Sequence, residues 1–263
     1  INAGVAGSSA TFANDVYATN LDVEGTGTVN LDGNFTGTAI RYNADGKVEL
    51  ADTKNIDSAI TTATNNTGTL TLEGSSTVTG QVGVSGTSLK EINAGVAGSS
   101  ATFANDVYAT NTNIGSGTVD FNTVSGTTNT NIIFTDNGTA NLLNGLTGDI
   151  DFAGKDATVN ISDGKGILGS VQTLASNNTG ILNYQGDGTI SGNSINSGAS
   201  GIKELNINTA NQQNSGGPGL VIGYTALARE LYADVVNLRN NATLTLKDNV
   251  NLINTGTDNN IIK

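Results

Sequence analysis

Asp149 and Asp151 are the two side chains whose spacing best suits catalysis. They lie two residues apart in the run GDIDFAG, and on a β-strand this spacing places both carboxylates on one face. Such a pair could supply the acid and base of a glycosidase-type reaction. The alternative is that they form the solvent side of a strand whose Ile150 and Phe152 point inward. We favour this alternative because a sugar-cleaving cleft also needs stacking aromatic and basic side chains, which are scarce here.

Other kinds of catalytic or metal site lack the residues they need. The chain contains no histidine and no cysteine, which excludes imidazole and thiolate nucleophiles, the corresponding metal ligands and disulfides. Phosphate-binding loops, EF-hands and the GGxGxD calcium repeat are missing as well. Asp163 and Asp187 directly precede a glycine and Asp136 lies two residues before one. We interpret all three as turn residues and not as calcium ligands. We therefore expect no catalytic residue, no metal and no cofactor.

The charge of the chain limits its partners. The net charge is −12, and the three arginines form no basic run, so we expect no binding to nucleic acid. No apolar stretch reaches the 18 residues of a membrane-spanning helix, and no signal peptide is recognisable. The sequence begins inside a repeat, and we expect it to be a piece of a longer protein.

A duplicated stretch shows how the chain is organised. Residues 1–20, INAGVAGSSATFANDVYATN, return letter for letter at 92–111, and later phrases recur at offsets of 111 to 113 residues. The two repeat lengths, 91 and about 112 residues, differ by about 20. A solenoid tolerates the insertion of such a piece because each coil contacts only its neighbours. We predict one β-helical segment, 1–263, with superunits of about 1–91, 92–204 and 205–263.

Short phrases of alternating apolar and polar residues indicate the length of one coil. TVNL, KVEL, TLTL and EINA recur at spacings of 19, 22 and 22 residues, and similar phrases in the second superunit are 23 apart. This alternation is typical of a strand with one buried face, and the Gly, Asn and Asp residues between phrases favour turns. The fold class predicted is all-β, a right-handed parallel β-helix of about 20–23-residue coils. Asparagines that recur at one coil position should form ladders along the axis. The apolar residues that mark the phrases are Val29, Val48, Leu70 and Ile92, then Val159, Leu182 and Leu205.

One region departs from this pattern. Residues 214–224 contain the only proline, and the leucines and valine of 225–238 have helical spacing. The internal alignment with ATFANDVYATN instead predicts a strand, which we slightly prefer for the first part. A short projecting helix would present Tyr224, Arg229 and Tyr232, which are residue types enriched in binding hot spots. These three are our candidate partner-binding residues, and the alternative is that they pack over a coil junction.

The wording of the repeats resembles the passenger region of rickettsial autotransporters, the surface cell antigen family that includes outer membrane proteins A and B. The phrases are GTVNLDG, GDIDFAGKDATVNISDGKG, TLTLEGSSTVTGQVG and ATFANDVYATN. The resemblance covers nearly the whole chain but carries over no binding residue. It implies a β-helical passenger that a C-terminal β-barrel, outside this sequence, carries across the outer membrane. Such a passenger is displayed on the bacterial surface and used for host-cell adhesion and entry.

Three functions are therefore open. The first is a surface adhesin segment that binds a host-cell surface protein through exposed side chains. The second is a structural stalk or surface-layer element that associates with itself along its faces. The third is a polysaccharide-active β-helix enzyme. We favour the adhesin, which is not an enzyme and would meet a membrane only through the barrel.

Overall fold

The computed structural model confirms the predicted fold class. It describes residues 1–123, 126–176, 178–191, 201–207, 220–222, 230–239, 242–247 and 251–254. The chain is an all-β parallel solenoid of about nine turns, with about 21 residues per coil. The described residues include no helix, and thus none that could cross a membrane. Two compact units are present, Ile1–Asn131 and Ile132–Lys263.

The strands of the first unit form two parallel ladders. One ladder runs β1-β3-β5-β7-β9-β11-β13 and the other runs β2-β4-β6-β8-β10-β12-β14. Neighbours in each ladder are alternate strands of the chain, because each coil places its strands over those of the coil before. The strands are β1 Asn2–Ala3, β2 Ser9–Phe12, β3 Val16–Val23, β4 Thr28–Leu31, β5 Phe35–Tyr42, β6 Lys47–Leu50, β7 Asn55–Thr62, β8 Thr67–Leu72, β9 Ser76–Val78, β10 Leu89–Ala94, β11 Ser100–Phe103, β12 Val107–Ile114, β13 Thr118–Phe121 and β14 Thr128–Phe134, the last of which runs into the second unit.

The second unit also consists of parallel ladders, but the first neighbours in each ladder are every third strand of the chain. One ladder is β15-β18-β21-β23-β25-β27, another is β16-β19-β22-β24-β26, and β17 pairs with β20. The strands are β15 Thr139–Leu142, β16 Leu146–Thr147, β17 Ile150–Asp151, β18 Thr158–Ile161, β19 Lys165–Leu168, β20 Val171–Gln172, β21 Thr179–Tyr184, β22 Gly188–Ile190, β23 Ile202–Ile207, β24 Leu220–Ile222, β25 Glu230–Leu238, β26 Leu244–Leu246 and β27 Asn251–Asn254.

The predicted register between coils is confirmed. The marker residues of the first unit pair in the order expected from their spacing, and each is fully buried. The markers of the second unit do the same. Columns of aliphatic side chains therefore fill the interior, and their burial is the main stabilising contribution of each added coil. The columns are Val29, Val48, Leu70 and Ile92 in the first unit, and Val159, Leu182 and Leu205 in the second.

Asparagines form the predicted ladder on an outer face of the second unit. Each side-chain amide donates to the amide oxygen of the asparagine one coil earlier, over distances of 2.8, 2.8, 2.9 and 2.7 Å. The residues are half-buried or buried, so water competes weakly for these hydrogen bonds. The ladder therefore fixes the register of five successive coils. Its members are Asn141, Asn160, Asn183, Asn206 and Asn237.

A glycine lies against an aromatic ring in both units. Gly68 has φ +85°, and a Cβ at this position would lie 2.6 Å from the ring of Tyr42. Gly180, at the same repeat position, has φ +82° and would place its Cβ 2.2 Å from the ring of Phe152. Only glycine provides both this backbone conformation and the space for the ring.

The strand interpretation of the unusual region is confirmed where the structure describes it. Residues 230–238 form β25, which pairs with β23 and β27. Leu231 and Ala233, two residues apart, are fully buried and Tyr232 between them is half-buried, as the side-chain alternation of a strand requires. The helical alternative is therefore wrong for these residues, because ladder hydrogen bonds outweigh the intrinsic helix preference of the sequence. Residues 223–229 lie outside the described part of the chain.

Candidate binding groove

The three predicted partner-binding residues are not assembled into a site by the described part of the structure. Tyr232 lies in β25, is half-buried and pairs in register with Ile253. Tyr224 and Arg229 lie outside the described residues. Their role in partner binding stays a prediction.

Asp149 and Asp151 hold the backbone of turns. Ile150 and Phe152 are fully buried, as expected for the inward side of this strand. A carboxylate oxygen of Asp149 accepts a hydrogen bond from the backbone N–H of Ser170, one coil further on, at 2.7 Å. A carboxylate oxygen of Asp151 accepts a hydrogen bond from the backbone N–H two residues later in the chain, at 2.8 Å. The two carboxylates thus have a structural use in stacking and turn formation.

The other aspartates singled out in the sequence also have turn contacts. Asp136 accepts a hydrogen bond from the N–H of Asn137 at 2.8 Å, and Asp163 accepts one from the N–H of Asp187 at 2.7 Å. The interpretation as turn residues is therefore confirmed for Asp136 and Asp163, whereas Asp187 contributes its backbone N–H to the contact with Asp163. Within the described residues, no group of three or more Asp or Glu side chains could hold a metal ion.

In the first unit, a row of hydrogen bonds from backbone N–H groups to side-chain oxygens of the preceding coil crosses four coils. We call the residues of this row the turn row. A side-chain oxygen of Asp15 accepts from the N–H of Asn34 at 2.8 Å. The side chain of Asn34 accepts from the N–H of Asn55, and that of Asn55 from the N–H of Thr77, each at 2.9 Å. Each side chain therefore positions the first residues of the next strand.

A groove of about 520 Å³ runs beside the turn row. The turn row lines it, together with Phe35 and with four side chains that each lie two residues further along the same coils. Those side chains are Tyr17, Thr36, Asp57 and Thr79. The groove is thus built by residues far apart in the sequence that stacking brings together.

Strand register places the groove residues beside one another. Tyr17 pairs with Thr36, and Thr36 pairs with Asp57. Each follows a buried residue of its own strand, so alternation turns its side chain outward. Tyr17 is 77% exposed, the highest value among the large apolar and aromatic side chains described as exposed. The buried residues that precede the three are Val16, Phe35 and Ile56.

The groove combines an aromatic ring with two carboxylates. Asp57 accepts a hydrogen bond from the hydroxyl of Thr79 at 2.6 Å, which orients its carboxylate. Asp15 accepts from the backbone and side-chain N–H groups of Asn34 at 2.8 and 3.1 Å. No lysine or arginine lines the groove. The site therefore suits a ligand that carries positive charge.

Lysines elsewhere in both units pair with aspartates two coils away. Lys90 lies 2.7 Å from Asp45, and this hydrogen-bonded contact lowers the pKa of the Asp45 carboxyl and raises the pKa of Lys90. Lys203 lies 3.3 Å from Asp156, at the corresponding repeat positions of the second unit. These pairs neutralise part of the negative surface, whereas the groove carboxylates face no cation among the groove residues.

Sequence reasoning missed the groove because no local motif encodes it. Its residues come from four coils, and which ones meet depends on register. One signal was present in the duplicated stretch ATFANDVYATN, where alternation after a buried Val16 places Tyr17 on the outside. An aromatic residue at an outward strand position is a signal for a binding surface.

Comparison with known proteins adds no relative from which a role could be transferred. No protein-family model matches the chain, and no curated protein and no solved structure is similar to it. The fold and the groove are therefore the observations that bear on function.

Proposed function

We propose that this chain is a non-catalytic binding segment of a bacterial surface adhesin, an autotransporter passenger of the type its repeats resemble. It attaches to a protein on the host-cell surface through side chains on the outside of the solenoid. The observation that carries this proposal is the groove of the first unit, which an exposed Tyr17 and two carboxylates line. Tyrosine is among the residue types that supply most of the free energy in protein interfaces.

The frame around the groove favours binding because it is already ordered. Parallel ladders hold the strands that carry the outward side chains. The turn row fixes the strand starts through three side-chain-to-backbone hydrogen bonds. A preformed surface loses little conformational entropy when a partner binds, which favours affinity.

Attachment of the purified 263-residue chain to host cells tests the proposal. We expect the wild-type chain to bind saturably, and Tyr17→Ala and Asp57→Asn each to weaken attachment. The matched control is Tyr108→Ala, because Tyr108 occupies the same position in the identical repeat 92–111 but does not line the groove. Circular dichroism and thermal unfolding of each variant check that the fold is retained.

Two results would contradict the proposal. The first is no saturable attachment of the wild-type chain to any host cell type tested. The second is equal attachment by the wild-type chain, Tyr17→Ala and Asp57→Asn, which would remove the groove as the contact surface.

A structural stalk is a second candidate, and the asparagine ladder favours it. Five asparagines hold successive coils together along one outer face, which is a device for stiffness and needs no partner. Regular assemblies of the purified chain in electron micrographs, together with absence of host binding, would support this candidate over the adhesin.

A further inference from the structure

We propose that the groove receives an arginine side chain from an extended, basic segment of the partner protein. This inference rests on the proposed adhesive function and names the chemistry of the partner. The guanidinium group would stack on the ring of Tyr17 and donate hydrogen bonds to the carboxylate of Asp57. Asp15 would add attraction from the end of the groove.

Charge complementarity supports a cationic occupant. Both charged residues that line the groove, Asp15 and Asp57, are carboxylates, and both are exposed. The whole chain carries a net charge of −12. A negative groove on a negative surface attracts basic segments during encounter and repels acidic ones.

The register of the strands gives the spacing that a guanidinium group needs. Thr36 lies on the strand between Tyr17 and Asp57. Adjacent strands are about 4.8 Å apart, so the strands of Tyr17 and Asp57 are separated by roughly 9.6 Å. Thr36 is short, and its position leaves a gap between a ring on one side and a carboxylate on the other. A planar cation fits that gap with one face on the ring and its edge toward the acid.

Arginine fits this arrangement better than lysine does. A guanidinium group is planar, stacks on aromatic rings and presents paired N–H donors that match a carboxylate. The Asp57 carboxylate has about four acceptor positions, and the hydroxyl of Thr79 uses one of them. A lysine ammonium would gain the charge attraction but could not stack or donate in parallel.

A neutral oligosaccharide fits less well because sugar hydroxyls need donors as well as acceptors. The side-chain oxygens of Asn34 and Asn55 already accept backbone N–H groups of the turn row. The Asn34 amide nitrogen donates to Asp15, and the Thr79 hydroxyl donates to Asp57. These polar groups are thus already engaged, and the only charged groups that line the groove are carboxylates, which match a cationic donor.

The repeated sequence provides an internal control for this site. Asp106 and Tyr108 are the counterparts of Asp15 and Tyr17 in the copy at 92–111. Asp106 also holds the next coil, by accepting from the N–H of Thr127 at 2.8 Å. Tyr108 is only half-exposed, however, and does not line the groove. The binding surface thus depends on which coils are stacked and not on the repeated letters alone.

The test is a titration of the full 263-residue, ¹⁵N-labelled chain, followed by amide chemical shifts. The probe is the blocked peptide acetyl-Gly-Arg-Gly-Arg-Gly-amide, and the neutral probes are the same peptide with glutamine for arginine and the oligosaccharide chitotriose. We expect saturable shifts at the amides of Thr36 and Asp57 with the arginine peptide alone. Raising sodium chloride from 50 to 300 mM should weaken binding, because screening reduces attraction between exposed charges.

Substitutions then locate the contact. Tyr17→Ala should weaken the affinity for the arginine peptide about fivefold, as expected for the loss of an exposed cation–π contact. Asp57→Asn should weaken this affinity about two- to fivefold. Tyr108→Ala should leave the affinity unchanged. Both groove residues are exposed, so neither substitution is expected to unfold the chain.

Three results would overturn the inference. The first is that millimolar arginine peptide shifts no amide signal. The second is that the glutamine peptide binds as tightly as the arginine peptide. The third is that chitotriose, and not the arginine peptide, shifts the amide signals of Thr36 and Asp57. Cell attachment separates this inference from the proposed function. Loss of attachment in Tyr17→Ala without peptide binding contradicts the arginine occupant and supports adhesion. Peptide binding in a chain that does not attach supports the occupant and contradicts adhesion.

Discussion

At the residue scale, acidic side chains in this protein serve as contacts between coils. Asp22 and Arg41 are register partners on adjacent strands. The guanidinium donates to both carboxylate oxygens, at 2.5 and 2.8 Å. This contact lowers the pKa of Asp22, because the hydrogen bonds and positive charge of Arg41 favour the ionised carboxylate. Asp22 thus connects two coils, in the same way that Asp15 and Asp149 do through backbone N–H groups.

Asp22→Asn should lower the thermal midpoint by a few degrees at pH 7, because the amide has no charge and only one oxygen that can accept from Arg41. The pKa of Asp22 is lower in the folded than in the unfolded chain. Its stabilising contribution is therefore complete above the unfolded pKa, about 3.9, and is lost as the pH falls through the folded value. Thermal unfolding of both proteins from pH 7 to pH 2 should show the two midpoints converging in acid. A difference that stays constant down to pH 2 would contradict this assignment.

At the element scale, positions in the strands and turns are specified by the coil beneath them. Gly68, the second residue of β8, has positive φ and lies against the ring of Tyr42. Asn183 lies at the centre of the asparagine ladder, donating to Asn160 and accepting from Asn206. The residue type at both positions is thus determined by contacts with the adjacent coils and not by the strand in which the residue lies.

Gly68→Ala should destabilise the chain by about 2–4 kcal/mol, because a methyl group overlaps the buried Tyr42 ring and the backbone has positive φ. The control is Gly86→Ala, which has φ +83° but no atom within 4 Å of the added Cβ. This control should lower the free energy of unfolding by only about 1 kcal/mol, because alanine is strained at positive φ but meets no neighbouring atom. Urea unfolding measures both, and equal losses would show that the ring contact contributes nothing.

Asn183→Ala should cost about 1–2 kcal/mol, since it leaves the amide of Asn206 and the oxygen of Asn160 without their ladder partner. Thr158→Ala, on the outer face of the adjacent strand β18, is the control and should change stability by less than about 0.5 kcal/mol. Urea unfolding of the two variants is the measurement. A loss in Thr158→Ala as large as that in Asn183→Ala would mean that the ladder adds no stability.

At the scale of the whole molecule, stability should be close to a sum over neighbouring coils. The register supports this because Lys47 pairs with Thr69, 22 residues later, and the next residues follow in step. Residues 47–68 are therefore one complete coil of the first unit. The natural offsets of 91 and about 112 residues in the sequence differ by a similar length.

Duplicating residues 47–68 in tandem should give a folded chain with unchanged circular dichroism shape and a midpoint within a few degrees, because each new strand meets a strand of its own sequence. Duplicating only residues 47–57 is the control. This half-coil shifts the register of every later strand and should give an unfolded or aggregated product. Similar behaviour of the two insertions would contradict coil-by-coil stacking.

Much of this architecture could be predicted from the sequence, since alternation and spacing are properties of a single strand and its repeat. The columns through Val29 and Val159 and the asparagine ladder follow from that periodicity. The groove could not be predicted, because Tyr17 and Asp57 become neighbours only through the register of an intervening coil. The choice between helix and strand at 230–238 was equally non-local, since β23 and β27 supply the hydrogen bonds that decide it.

The positions of the tyrosines allow both unfolding and ligand binding to be followed by tyrosine absorbance and fluorescence. The chain has six tyrosines and no tryptophan, so phenol groups dominate its near-ultraviolet absorbance and emission. Tyr42 in the first unit and Tyr184 in the second are fully buried, whereas Tyr17 stands in solvent. Burial also raises the pKa of Tyr42, so its phenol should ionise in alkali only after the surrounding coils open. Absorbance at alkaline pH would therefore record the opening of the interior, and quenching of Tyr17 emission would record occupancy of the surface, without any attached dye.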